Sequence, residues 1–207
     1  DAVSDGENVL IGSIIEHIEQ AGIHSGDAIM VIPTQSIGKK AQEKIIEYTK
    51  KIAASLKIKG PFNTQYIVID GQMPEVFVIE CNLRASRSMP FVSKATNENL
   101  IRIATNCMLG EKLGEDRILQ AKTCVKSPMF SFIRLSGADP LLGVEMMSTG
   151  EVACLGDTFQ EALVKSFLAT EIPLPSQGNV LLSLPRNLQH KLLDMANNLR
   201  ALGYAIF

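Results

Sequence analysis

Glu80, Asn82, Arg84 and Arg87 close the stretch VFVIECNLRASR, which runs from Val76 to Arg87. A carboxylate, an amide and two guanidinium groups at the end of an apolar run suit one kind of chemistry. Carboxylate and amide oxygens bind a hard cation such as Mg²⁺, which keeps several waters and is usually completed by substrate phosphates. Guanidinium groups beside them pair with phosphate oxygens and offset the charge that develops during phosphoryl transfer. The competing reading is a strand that simply turns polar where it reaches the surface.

A hairpin adds a further group to this set. Asn63–Ile69 and Val76–Asn82 read as strands on either side of the turn signal Asp70-Gly71. With Ile69 set opposite Val76, the antiparallel register brings Gln65 opposite Glu80. Alternation then places Gln65, Ile67, Ile69, Val76, Val78, Glu80 and Asn82 on one face, and Tyr66, Val68, Phe77 and Ile79 on a core face. Cys81 points away from Glu80 and Asn82, which makes it a poor nucleophile.

Gly22-Ile23-His24-Ser25-Gly26-Asp27 is a second candidate, because small residues let backbone approach a ligand and His24 and Ser25 can hydrogen-bond a nucleotide. Taken alone it is equally a plain turn. No Gly-x-x-x-x-Gly-Lys-Ser/Thr loop, His-Glu-x-x-His or Gly-x-Ser-x-Gly elbow occurs in the sequence. His17 reads as a structural histidine and His190 as an exposed one. Ser148–Val152 reads as a Gly-flanked polar turn, and Lys126 and Asp139 as surface or paired charges beside apolar strands.

These groups need a scaffold, and the composition supplies one. The 207 residues are 46% apolar and 20% charged, enough for a sizeable core. A net charge of −2 gives no electrostatic case for nucleic acid or an anionic membrane. No apolar run approaches the ~18 residues of a membrane span. Cys81, Cys107, Cys124 and Cys154 form no Cys-x-x-Cys pair and read as reduced intracellular thiols.

Residues 9–22 are ambiguous between strand and helix, and Ala28–Pro33 reads as a short strand. The spacing of Ala41, Ile45, Ile52 and Leu56 predicts a helix over 38–57. Glu98–Leu109 is a second helix with Gly110 as its C-cap. Residues 124–156 read as short strands and loops. Thr158-Phe159-Gln160-Glu161 is a capping box opening a helix to about Ala169. Pro173–Gly178 is a linker. Beyond it, a strand at Val180–Leu184, a helix at Asn187–Leu202 and a strand at Tyr204–Phe207 make one βαβ unit. One such unit cannot bury its own faces, so a second domain is expected to begin there.

The segments EHIEQAGIHSGD, GPFNTQ, IECNLRASRSMPFVSKAT and GADPLLGVEMMSTGEVACLG, in this order, resemble the large chain of carbamoyl phosphate synthetase. PFVSK resembles the second of that chain's two ATP-grasp halves. The resemblance implies an α+β fold: the C-terminal lobe of an ATP-grasp over residues 1–172, an antiparallel sheet with packed helices, its N-terminal lobe missing. At 178–207 it implies the truncated start of an α/β regulatory domain resembling methylglyoxal synthase. It implies ATP/ADP and Mg²⁺ or Mn²⁺ as cofactors. Gly22, Ile23, His24 and Ser25, with Gln65 and Glu80, would contact the nucleotide, and Gln65, Glu80 and Asn82 would hold the metal. Arg87, with Arg84 as a neighbour, would lie near the transferred phosphoryl group, and Glu151 near the route of carbamate.

The implied reaction is phosphorylation of carbamate by ATP to carbamoyl phosphate, feeding arginine, pyrimidine or urea synthesis. The implied partners are the rest of the large chain and a glutaminase, in the cytoplasm or the mitochondrion. Asn97 stands where the family commonly has Gly, and Asn tolerates the left-handed backbone expected there. Another ATP-grasp ligase, or an inactive piece serving as an interaction module, are the competing expectations.

Overall fold

The computed structural model of the protein describes residues 1–69, 71–135, 137–172, 174–184 and 186–207. Asp70, half of the expected turn signal, and Pro173, the start of the expected linker, lie outside the described residues. The chain divides into two compact units, Asp1–Glu171 and Ile172–Phe207.

The first unit opens with β1 (Ala2–Asp5), β2 (Val9–Ile11), β3 (Glu16–His17) and β4 (Met30–Ile32), so the ambiguous opening resolves into two short strands joined by irregular chain, with no helix. Helix α1 (Lys39–Ser55) leads into the hairpin of β5 (Lys59–Ile69) and β6 (Glu75–Asn82). Two short helices follow, α2 (Met89–Thr96) and α3 (Leu100–Leu109), then β7 (Arg117–Ile118), β8 (Cys124–Phe130), β9 (Ser148–Leu155) and α4 (Phe159–Ala169). The strands form two sheets, one ordered β6-β5-β1-β2-β7 and the other β3-β4-β8-β9. In the second unit β10 (Asn179–Val180) and β11 (Ala205–Ile206) pair in parallel around α5 (Leu192–Ala201).

Helix α1 buries Ala41, Ile45, Thr49 and Ala53. Leu56, expected on this stripe, is 55% exposed because the helix ends at Ser55 and Leu56 is its capping residue. Under α1, Ala53 meets Val9, Ile11, Ile58 and the fully buried Phe62. Further along the same helix, Ala41 and Ile45 pack on Val76, with Tyr66 and Val68 beside them. A second core joins Leu10, Met30 and Ile32 from both sheets to Met89, Val92 and Leu100 of the two short helices. Helix α4 covers the other sheet through Ala162, against Val31 and Val125.

The pairing of β5 with β6 corrects the expected register. Ile69 lies opposite Glu75 and Val68 opposite Val76, one residue away from the expected alignment. A bulge then intervenes: Tyr66 pairs with Val78, Gln65 pairs with Glu80, and Ile79 is the extra residue. Gln65 and Glu80 therefore do face each other. Beyond the bulge the faces differ from expectation. Val76 is the buried one, at 9% exposure, whereas Phe77 and Ile79, expected in the core, are 48% and 55% exposed.

Capping follows the sequence closely. Thr158 Oγ1 accepts from Glu161 N at 3.2 Å, and Glu161 reaches back to Asp157 N at 2.8 Å, one residue before the cap. Gly110 closes α3 at φ 113° with its N–H on Asn106 and Cys107 carbonyls. Helix α2 was not expected from the sequence: Val, Ser and Thr favour helix weakly, and Pro90 sits in its first turn, where its missing N–H does no harm. Asn97 caps α2 at φ 58°, in the left-handed region. All four cysteines are free thiols. Among the described residues no helix is long and apolar enough to cross a membrane.

Asn97→Ala is expected to lower stability by about 1 kcal/mol, whereas Asn97→Gly should leave it unchanged or raise it. Urea unfolding midpoints of the two variants check this, and equal loss in both would contradict it.

Candidate functional site

Between the two sheets of the first unit lies a cleft of about 1040 Å³. On β5, Phe62, Tyr66 and Val68 pack towards α1, while Asn63, Gln65 and Ile67 line the cleft from the alternate positions. From β6 the bulge adds Glu80 and Asn82 to the same wall.

The polar end of the hairpin is tightly connected. Glu80 Oε1 accepts from Gln65 Nε2 at 2.7 Å and from Asn82 Nδ2 at 2.8 Å. Gln65 Nε2 also donates to Ser25 Oγ at 3.2 Å, which links the hairpin to the Gly22–Gly26 loop on the other wall. Glu80 is exposed to the cleft. The donor set is one carboxylate and two side-chain amides, all able to present oxygen, and this fits a hard cation completed by phosphate oxygens. Among the described residues no group of three or more His, Cys, Asp or Glu side chains is placed to hold a metal.

The loop Gly22–Gly26 is held from three directions. His24 N donates to Gly143 O at 2.8 Å, and Gly26 N donates to His24 Nδ1 at 3.0 Å. A Cβ at Gly26 would fall 2.7 Å from Met146 Sδ, so a larger residue there would have to push the Met146 side chain aside. Buried Asp27 accepts from Met147 N and Ser148 N, both at 2.8 Å, fixing the start of β9 under the loop.

Arg87 and Arg84 part company. Arg87 reaches β9: its Nη1 lies 2.8 Å from Met146 Sδ and 3.4 Å from Ser148 Oγ, and its Nε 3.9 Å from Glu151 Oε1. Arg84 lines the cleft and donates from Nη1 to its neighbour Ala85 O at 3.2 Å. Ser148–Val152, expected as a turn, is instead the first half of β9, paired with β8. Glu151 therefore points from a strand into the cleft.

Two groups carry more than the sequence suggested. Lys126, read as surface or paired, is 1% exposed, with Nζ 3.2 Å from Gly26 O and 3.7 Å from Glu151 Oε2. Burial lowers the pKa of its ammonium, although Glu151 pulls it the other way. Asp1 accepts from Asn63 Nδ2, Ser86 Oγ and Ser88 Oγ, tying β5 to the segment that carries Arg87. Neither had a local signal, because their partners lie tens of residues away in sequence. His190 is exposed, as expected, in a 3₁₀ turn of the second unit.

Comparison with known proteins follows the same lines. The family described as "Carbamoyl-phosphate synthase L chain, ATP binding domain" matches residues 2–116. Over its whole length the chain is 46% identical to the carbamoyl phosphate synthase large chain of Lachnoclostridium phytofermentans, and 46% identical to the multifunctional protein pyr1-3 of Dictyostelium discoideum. It spans 20% of the first and 9% of the second. Among solved structures it resembles the N5-carboxyaminoimidazole ribonucleotide synthetase from Thermotoga maritima, with TM-score 0.59 and 14% identity over 83% of this chain and 49% of that one. The biotin carboxylase subunit of pyruvate carboxylase gives TM-score 0.60 and 13% identity over 83% of this chain and 44% of that one. The fold is thus an α+β ATP-grasp lobe, and the chain belongs to the family of carbamoyl-phosphate synthase large-chain ATP-binding domains.

His17 lines the cleft beside Lys126. Burial first, and the Lys126 charge second, push its pKa from 6.5 down to about 4. The unfolded chain then binds that proton more readily than the folded one. Stability is therefore expected to fall as pH drops from 6.5 through 4, by on the order of 3 kcal/mol from this group alone. Urea unfolding across that range should lose this slope in His17→Gln, and an unchanged slope would contradict the assignment.

Proposed function

We propose, from the chain's membership of this family, that the cleft is the ATP site at which a carbamoyl phosphate synthase large chain phosphorylates carbamate. On this reading the chain works as one part of a longer protein, supplied with nitrogen by a glutaminase. Its second unit is the start of a regulatory domain resembling methylglyoxal synthase, a reading supported by the parallel pair β10–β11 around α5.

The observation that carries the reading is the meeting of Gln65 and Asn82 on the Glu80 carboxylate, both within hydrogen-bond distance of its Oε1, with Gln65 also bonded to Ser25. Gly22, Ile23, His24 and Ser25 offer loop backbone and two polar side chains to the nucleotide. Gln65, Glu80 and Asn82 would hold Mg²⁺ or Mn²⁺. When bound there, the metal supplies charge neutralisation at the phosphate oxygens.

The chain's own residues do the rest. Gln65 and Asn82 hold the Glu80 carboxylate towards the cleft and keep it from swinging away. Arg87, held loosely beside β9 near Ser148 and Glu151, presents a guanidinium to the transferred phosphoryl group, and a donor already placed there favours the charge that develops. Arg84, at the cleft rim, adds a second positive charge nearby. The walls hold the acceptor in line and shield it, which matters for a substrate as unstable in water as carbamate.

The reverse half-reaction tests this: formation of ATP from ADP and carbamoyl phosphate, measured in the longer protein with Mg²⁺. Glu80→Ala and Arg87→Ala are each expected to cut the rate by about 100-fold or more. Rates within a few-fold of the unmutated protein would contradict the assignment of the residue concerned.

A further inference from the structure

Lys126 is a buried cation that the reaction as described leaves without a task. It projects from β8 at 1% exposure, too deep to receive a substrate itself. Its Nζ donates to Gly26 O at 3.2 Å and stands 3.7 Å from Glu151 Oε2. The other oxygen of the same carboxylate, Oε1, stands 3.9 Å from Arg87 Nε. Both separations are well beyond the ~2.8 Å of a charge-assisted hydrogen bond. Glu151 Oε2 is buried and has no hydrogen-bond partner among the described residues. One carboxylate is therefore shared loosely between two cations and bound firmly by neither.

Nearby carboxylates are already engaged. Asp27 is taken by Met147 N and Ser148 N, and Glu19 by Ile29 N at 2.7 Å. Glu151 is left as the carboxylate that Lys126 and Arg87 share. A half-buried carboxylate stripped of its last cation is strongly disfavoured, so it clings to whatever cation remains. With Lys126 present, Glu151 can let Arg87 go. Without it, Glu151 would close on Arg87 and mask the guanidinium.

We infer that Lys126 is a positioning residue: by balancing the charge of Glu151, it keeps Arg87 free to exchange that carboxylate for an anionic phosphoryl substrate. The inference rests on the reading of the cleft as a phosphoryl-transfer site. Arg87 is the residue that meets the anion, Glu151 is its internal competitor, and Lys126 sets how hard Glu151 competes. No bond is made or broken by either of these two.

The test uses ATP formation from ADP and carbamoyl phosphate in the longer protein, with KM measured separately for each substrate. Lys126→Met is expected to raise KM for the dianion carbamoyl phosphate by about tenfold or more while leaving KM for ADP within about twofold. Lys126→Arg keeps the charge and should stay near the unmutated value. The double variant Lys126→Met with Glu151→Gln removes the competitor as well and should recover most of the lost KM. Additive losses in the double variant, or equal rises in both KM values, would overturn the inference. Should Lys126→Met not fold, Glu151→Gln alone decides: KM for carbamoyl phosphate should hold or fall, and a tenfold rise overturns the inference. An unmutated protein that makes no ATP would sink the proposed function and this inference with it. An active one with additive losses would sink the inference alone.

Discussion

One extra residue in β6 sets the character of the cleft. Up to Val78 the hairpin pairs so that Val76 and Val78 share a face with Tyr66 and Val68, and Val76, Tyr66 and Val68 pack on α1. If that register continued, Ile79 would lie opposite Gln65 and Glu80 opposite Thr64. The carboxylate would then enter the side of the sheet where Phe62 and Ala53 are packed, and an unpaired buried charge there is costly. The bulge at Ile79 resets the alternation, so the same strand buries Val76 in the core and still delivers Glu80 and Asn82 to the cleft. Cys81 goes to the α1 side, against that core.

Around this hairpin, buried and half-buried polar residues act as ties between segments far apart in sequence. Asp1 gathers Asn63, Ser86 and Ser88, so the strand carrying Gln65 and the segment carrying Arg87 move together. Asp27 fixes the start of β9 beneath the Gly22–Gly26 loop. Lys126 joins that loop to Glu151. The first two ties satisfy polar groups through hydrogen bonds, and all three link segments that line the cleft. The site is held together by its polar floor as much as by the apolar cores behind the sheets.

The sequence made much of this legible where the signal is local. The first half of the α1 stripe, Ala41 and Ile45, the cap Thr158 and the terminator Gly110 each lie within a few residues of what they control, and each stands where the pattern places it. Gln65 faces Glu80 as expected, although by a compensating route: the alignment near the turn is off by one residue, and the bulge restores it. The faces of Val76, Phe77 and Ile79 were misplaced for the same reason, since a bulge leaves no mark on an apolar run. Lys126 reads from the sequence as a surface or paired charge, and the family resemblance alone sets Glu151 near the cleft, because their contact comes from strand pairing across some 25 positions. A strongly ambiguous segment such as Ser148–Val152, small residues around a glycine, becomes strand only because β8 is there to pair with it.

The central claim is that Gln65, Glu80 and Asn82 form the metal side of a nucleotide site. Calorimetric titration of ADP into the protein, with and without Mg²⁺ and in parallel for Glu80→Ala, addresses it most directly. The account predicts ADP binding that requires Mg²⁺ and disappears in Glu80→Ala. ADP binding that is indifferent to Mg²⁺, or that survives intact in Glu80→Ala, would contradict it.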